Sequence, residues 1–424
     1  MTLFTFALKS LAGRRRRFFF LGLAVSFGFF IMTVATGLTE GLLKTVREKG
    51  AFYFSGNVNI TCDSRGESDH EMDAQLLRGA VREALGPVPV FLRSIYYGTD
   101  AQLFFGGATV RQRRVIGIDW SDERGSVGAL NIVSGSFPAD GDLRAVLISE
   151  TAAKRLGVRV GDELMLLVTG QHGRNTANFV LRGVFKDSSI FGYAAYVSRS
   201  ALNDALSLPA AYATDFGVTL RGSRNEGAAA ERIRASLAKR AEVFSVAHTR
   251  AELSSLSGGS WQGKRYMVCT LDAHLSDIKQ VLDAITAICY ALLAAFLAVV
   301  LIGIVSTYRV VVYQRSAEIG MMRAIGMGKA RAMFVFVEEA GALAAVSAFV
   351  GLIAGEIVLF AISLFEFPPS LDMFLKRGHL DWALDPGVIL GIFAIVCAST
   401  LLAAWIPARK AAGITPMDAM RTEE

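Results

Sequence analysis

The sequence predicts an α+β membrane protein, with four transmembrane helices plus a large extracytoplasmic mixed α/β domain on stalk helices. Three observations predict it. Of 424 residues, 52% are hydrophobic and only 19% charged, with a mean hydropathy of +0.41. That balance excludes a disordered chain and a fully soluble one. Four apolar runs reach the roughly 20 residues that a helix needs to cross a bilayer. Between the first two runs lies a long stretch of ordinary globular polarity.

Residues 1–17 are a basic cytoplasmic N-terminus, with Lys9 and Arg14, Arg15, Arg16 and Arg17. The first span, 18–38, carries no charge. A cleaved signal peptide is the rival reading, but the run is long for one and no A-x-A site follows. Residues 39–283 hold the stalks and the extracytoplasmic domain. Leu38, Leu42 and Val46 lie one helical turn apart, with Glu40, Lys44, Arg47 and Glu48 on other faces, so the first span continues outward as a stalk. Leu271, Leu275, Ile278 and Leu282 make a second stalk before span two.

In between, Asn57–Thr61, Val115–Ile118, Ala145–Ile148, Leu164–Val168, Phe179–Phe185 and Phe216–Leu220 read as strands. Glu150–Leu156 reads as a helix with Ser149 as N-cap and Gly157 as stop. Glu226–Ala241 is a second helix, with Ile233 and Leu237 inward. Leu253–Gly263, rich in Ser and Gly, reads as loop.

The second span is 284–308, uncharged. A cytoplasmic loop, 309–339, separates it from the third span, 340–365, which only Glu356 interrupts. A short outer loop, 366–386, leads to the fourth span, 387–406, opened by Pro386 and closed by Pro407. Residues 407–424 are a cytoplasmic tail. Lys and Arg decide the orientation, because short cytoplasmic loops carry them in excess. Arg309, Arg315, Arg323, Lys329 and Arg331 flank spans two and three, and Arg409, Lys410 and Arg421 follow span four. The loop between spans three and four has only Lys376 and Arg377, against Glu366, Asp372, Asp381 and Asp385. Both termini are therefore expected in the cytoplasm. The net charge of +6 is read as loop orientation, and no nucleic-acid partner is expected.

No catalytic case emerges. Gly258-x4-Gly263-Lys264 has P-loop spacing, but Arg265 stands where a magnesium-binding hydroxyl belongs and the preceding residues are not strand-like. The five histidines, His70, His172, His248, His274 and His379, show no helix-borne ligand spacing, so no metal and no cofactor are expected. Cys289 and Cys397 fall within spans. Cys62 and Cys269 fall outside, where an oxidising compartment would let them pair, but nothing in the sequence fixes their proximity. Glu356 has two readings. One is a polar contact in a cavity or subunit seam; the other is a hydrogen-bonded or protonated group near the outer end of its helix.

The cytoplasmic loop carries the sharpest pattern. Arg315-Ser316-Ala317-Glu318-Ile319-Gly320-Met321-Met322-Arg323-Ala324-Ile325-Gly326 resembles the R-x-x-E-I-G-x-x-R-A-x-G segment of MacB/FtsX/LolC-type ABC transporter permeases. Glu339-Ala340 resembles the start of that family's third span. Pro407-Ala408-Arg409-Lys410-Ala411-Ala412, Ile414, Pro416 and Ala419-Met420-Arg421 look like its closing motif. Val146-Leu147-Ile148-Ser149 and the run from Leu156 to Asp162 resemble its outer domain. Length, one large outer domain and the absence of an ATPase domain resemble the LolC/LolE lipoprotein-release branch.

The resemblance implies a non-catalytic permease in the bacterial inner membrane. It implies as partners a dimer of cytoplasmic ABC ATPases and a second permease subunit, identical or not. It implies that Arg315, Glu318, Gly320, Arg323 and Gly326 couple to the ATPase. Its implied substrate is a lipoprotein, with MacB-like export of peptides or small amphiphiles, or FtsX-like activation of wall hydrolases, as alternatives.

Overall fold

The computed structural model describes residues 15–65, 71–98, 100–124, 130–186, 194–220, 225–314, 321, 325–368, 371, 374–376 and 378–413. The chain divides into two units. One comprises residues 1–42, 282–365 and 381–424; the other comprises residues 43–281 and 366–380.

In the first unit, three described helices are long and apolar enough to cross a membrane: Gly22–Tyr53, Val337–Ser363 and Pro386–Arg409. They lie within α1 (Arg15–Tyr53), α9 (Lys329–Ser363) and α10 (Pro386–Gly413). The sequence stops span four at Pro407, but α10 runs through Pro407 to Gly413. Interior proline is tolerated in membrane helices, where neighbouring groups re-satisfy the backbone that it frees. Helices α1 and α9 pack through small residues. A Cβ on Gly351 would collide with the carbonyl oxygen of Ser26, and one on Gly355 would sit 2.7 Å from the Thr33 Cβ. Ser347, Gly351 and Gly355 repeat every four residues, the spacing that lets membrane helices approach closely. Val25, Phe29 and Met32 of α1 meet Ala348, Ile392 and Val396 in one apolar cluster.

The second unit is built on a 12-stranded mixed sheet. Its first lobe orders β12 (Gly263–Thr270), β1 (Val58–Arg65), β11 (Asp215–Val218) and β2 (Val90–Tyr96). Helices α2 (Ala74–Leu85) and α6 (Glu226–Leu237) bury Leu77, Val81, Ile233 and Leu237 against Ile60, Phe216 and Val268. The second lobe continues through β5 (Arg114–Ile118), β10 (Ala194–Ser198), β7 (Ala145–Ser149), β9 (Gly173–Phe185), β8 (Glu163–Gly170), β3 (Gln102–Phe105) and β4 (Ala108–Arg111). Strand β6 (Ile132–Gly135) pairs with β9. Strand β7 is buried at every residue, which is why it reads as a continuous apolar run. Helix α4 (Glu150–Leu156) starts where the Ser149 side chain accepts from the Ala152 N–H, and it stops at Gly157.

Two expectations change here, and one question left open by the sequence is answered. Of the expected loop Leu253–Gly263, the part up to Gly258 belongs to helix α7 (Arg250–Gly258). The Thr249 side chain accepts from the Glu252 N–H, and Glu252 accepts from the His248 N–H, so a Thr-x-x-Glu cap overrides a Ser-rich composition. Helix α6 ends at Leu237, short of Ala241. Cys62 and Cys269 form no disulfide. They lie on paired strands, but Cys62 stands opposite Tyr266 and Cys269 opposite Asn59. The three-residue offset puts them on opposite faces, about 10 Å apart along the strand, beyond disulfide reach.

Candidate coupling site

Helix α1 ends inside the second unit, and the way it ends defines the site. Its last turn closes with the Gly56 N–H bonded to the Ala51 carbonyl at 2.6 Å, the six-to-one bond of a Schellman stop. Ser55 adopts φ +63, a left-handed conformation that glycine ordinarily supplies, and its buried hydroxyl has no hydrogen-bond partner among the described residues. Gly56 follows with φ +98, and a Cβ there would lie 2.7 Å from the Val218 carbonyl oxygen. Chain reversal into β1 thus depends on that glycine.

A buried arginine caps the helix. Arg93 of β2 and Glu123 of α3 (Trp120–Glu123) are both fully buried. Arg93 Nε donates to Glu123 Oε1 at 2.9 Å, and Nη2 pairs with Oε2. Nη1 donates to the Phe52 carbonyl oxygen in the last turn of α1. A cation at this point also meets the negative end of the helix dipole. The guanidinium stacks 4.8 Å from the Phe52 ring and 5.0 Å from the Phe91 ring. Burial pushes the Glu123 carboxyl up and the Arg93 guanidinium opposes it. The bidentate fork is the geometry of an ionised pair.

Arg114 of β5 adds a second clamp, with its guanidinium 4.5 Å from the Tyr53 ring, 5.4 Å from Phe54 and 4.7 Å from Tyr97. The Phe54 ring stacks on His274 at 4.6 Å. His274 belongs to α8 (Leu271–Gln314), which follows β12 without a break. Burial, with Arg114 and Arg250 nearby, lowers the His274 pKa to about 4.

The start of α8 touches α1 directly. Arg47 pairs with Asp272 and with Glu226, the latter at 2.8 Å, and Lys279 reaches Asp272 at 3.3 Å. A Cβ on Gly50 would lie 3.1 Å from Leu275, so the two helices cross closely there. Lys376, in the hairpin of β13 (Leu375–Lys376) and β14 (His379–Leu380), reaches Glu48 at 3.4 Å.

Of the residues expected to couple to an ATPase, Arg315, Glu318, Gly320 and Arg323 lie outside the described residues. Gly326 is described and has φ +105. Just before it, the Ile325 N–H bonds to the Met321 carbonyl at 3.1 Å, and these two side chains are 83% and 60% exposed. Glu356 is exposed. Gly341 of α9 faces Leu401 of the antiparallel α10. Fifteen residues along each helix brings Glu356 level with Pro386, the first residue of α10.

Sequence reasoning missed the Arg93–Glu123 and Arg47–Asp272 pairs. For Arg93 a signal existed: it shares the inward alternation of β2 with Phe91 and Ile95. A charge at an apolar strand position is expensive unless it is paired. The Gly258-x4-Gly263-Lys264 spacing connects a helix to a strand, the reverse of the strand-to-helix order a P-loop needs.

Two family models match the chain. A MacB-like periplasmic core domain covers residues 19–236, and an FtsX-like permease C-terminal domain covers residues 290–416. The chain belongs to the ABC transporter permeases of the MacB/FtsX type. It is therefore a membrane protein. An uncharacterized ABC transporter permease of Methanocaldococcus jannaschii is 25% identical over 164 residues, 39% of this chain and 40% of that one. A macrolide export ATP-binding/permease protein MacB of Rhodopirellula baltica is 26% identical over 147 residues, 34% of this chain and 20% of that one. The chain thus spans well under half the length of these curated relatives. The crystal structure of the periplasmic region of MacB from Actinobacillus actinomycetemcomitans is similar with a TM-score of 0.34 and 15% identity, over 56% of this chain and 97% of that one. The likeness is too slight to fix the fold. The matches are to MacB-like and FtsX-like domains, and the resemblance to the LolC/LolE branch stays a proposal.

Proposed function

We propose that this permease is the non-catalytic, four-span subunit of a mechanical ABC machine in the bacterial inner membrane, with both termini cytoplasmic. A dimer of separate cytoplasmic ATPases drives it, and a second permease, identical or not, completes the complex. The observation that carries this reading is helix continuity. Helices α1 and α8 each run unbroken from an apolar segment into an amphipathic one, 39 and 44 residues long. A helix is stiff along its axis, so displacement at its inner end appears at its outer end. The Arg93 cap and the Arg47 bridge grip those outer ends. On the inner side, Glu318 and Arg323 meet the ATPase, with Gly320 and Gly326 giving close approach and a turn.

The work is done on a substrate outside. We favour release of lipoproteins from the inner membrane. A second reading is export of small amphiphiles, favoured by the match to a relative named for macrolide export. Reconstitution with the cognate ATPase tests the coupling. Glu318→Lys is expected to insert and assemble but to lose substrate release, while ATP turnover no longer responds to substrate. Release at the wild-type rate sinks the coupling role of Glu318. Offering an acylated lipoprotein and a soluble amphiphile in the same vesicles separates the two substrate readings.

A further inference from the structure

An open apolar groove of about 590 Å³ lies between helices α8 and α10. Leu301, Ile302 and Val305 of α8 face Leu402, Ala403 and Ile406 of α10 across it. The polar side chains in its lining are Ser306 and Ser399, and the Ser399 hydroxyl donates to the Val396 carbonyl at 3.0 Å. From Ser399 to Ile406 it runs about 10 Å along the helix at 1.5 Å per residue. Leu402 and Ile406 lie on one face of α10, and the exposed Arg409 continues that face, three residues past Ile406 and seven past Leu402. Trp405, 43% exposed, flanks the same turn, as aromatic residues do at a membrane–water boundary.

We infer that this groove binds an anionic phospholipid of the cytoplasmic leaflet, one acyl chain in the groove and the phosphate on Arg409. The inference rests on the orientation proposed above, which puts the Arg409 end of α10 at the cytoplasmic surface. Charge complementarity selects the occupant. An apolar groove surrounded by lipid tails gains little from hydrophobicity, because the tails are as apolar as the groove. Discrimination must come from a charged group, and Arg409, one turn beyond Ile406 on the same helix face, supplies one; basic groups beside membrane helices on the cytoplasmic side recognise anionic headgroups.

The test uses the full chain in nanodiscs, with retained lipid read by native mass spectrometry. The probes are phosphatidylglycerol and phosphatidylcholine offered in equal amounts. The wild-type protein is expected to retain phosphatidylglycerol about fivefold over phosphatidylcholine, the factor one basic residue is worth at a membrane surface. Arg409→Gln is expected to abolish the preference, and Leu402→Trp, which fills the groove, to lower retention of both lipids. Arg409 is a surface position, so its variant keeps the test decisive if Leu402→Trp does not fold. Equal retention by the wild type, or an unchanged preference in Arg409→Gln, overturns the inference. So does cross-linking between Leu402→Cys residues of two copies, which would mean that a second copy covers the groove. Thiol labelling of Arg409→Cys from each side reads the orientation separately. Labelling from outside would refute the orientation while leaving any measured lipid preference standing.

Discussion

Replacing Arg93 by Met removes the guanidinium from a site where it is fully buried and makes three hydrogen bonds. The side-chain volume stays similar, so the loss is electrostatic. Glu123 is left buried without its partner, and the Phe52 carbonyl loses its donor at the end of α1. Breaking a buried ion pair from one side costs about 3–5 kcal/mol, and an orphaned carbonyl about 1–3 kcal/mol. The two overlap, so the expected loss is about 4 kcal/mol, or roughly 10 °C in melting temperature for a unit of this size. Glu123→Gln should cost about 3 kcal/mol, because Arg93 then stays buried and charged. The double variant Arg93→Met with Glu123→Leu should recover most of the loss, ending within about 2 kcal/mol of the wild type. The assay is thermal and urea unfolding of the full chain in detergent, followed by tryptophan fluorescence. Trp120, in the same short helix as Glu123, is a local reporter. If Arg93→Met stays within about 1 kcal/mol of the wild type, or the double variant is as unstable as the single, the pair does not hold the helix end.

Three further outcomes follow from the same geometry. Protonation of His274 should destabilise the second unit: its folded pKa is depressed to about 4 against an ordinary 6.5, so the unfolded chain takes up the proton first. The contribution is present above pH 6.5 and lost as pH falls from 6.5 to 4, by roughly 3 kcal/mol; His274→Gln should flatten that part of a stability–pH curve. Gly351→Leu should separate α1 from α9, because the added side chain meets the Ser26 carbonyl, costing about 1–3 kcal/mol, measurable as lower thermal stability and as loss of a cross-link between cysteines placed at Gly22 and Ser347, which adjoin across the same two helices. The purified chain alone should show no magnesium-dependent ATP hydrolysis; activity abolished by Lys264→Ala would contradict the reading of that segment.

The parts of the fold written in local pattern were legible. Ser149 and Gly157 bracket α4 in the sequence as in the structure, and β7 and β8 fall where apolar runs and alternation put them. Strands β3 and β4 were not found, because they are short and joined by the paired Gly106 and Gly107, both with positive φ. Those glycines read as a turn only once two strands flank them. Helix α7 was hidden by composition, since serines outweigh a single capping pair. The inner half of the candidate site was proposed from the sequence, because its spacing is contiguous; four of its five residues lie outside the described ones. The outer half was not, since Arg47 meets Asp272 from 225 residues away and Arg93 meets Glu123 from 30 residues away, with three strands between them in the chain. Only the sheet order brings such groups together.

The central claim is that the stalk helices transmit work, and locking them together tests it most directly. With the four native cysteines replaced, cysteines at Arg47 and Asp272 can be bridged by a short thiol cross-linker, since their side chains are in contact. In vesicles with the ATPase and an acylated lipoprotein, the account predicts that the bridged complex still hydrolyses ATP but releases no substrate. It also predicts recovery when a cleavable linker is cut. Substrate release at the unbridged rate with the linker intact would contradict it.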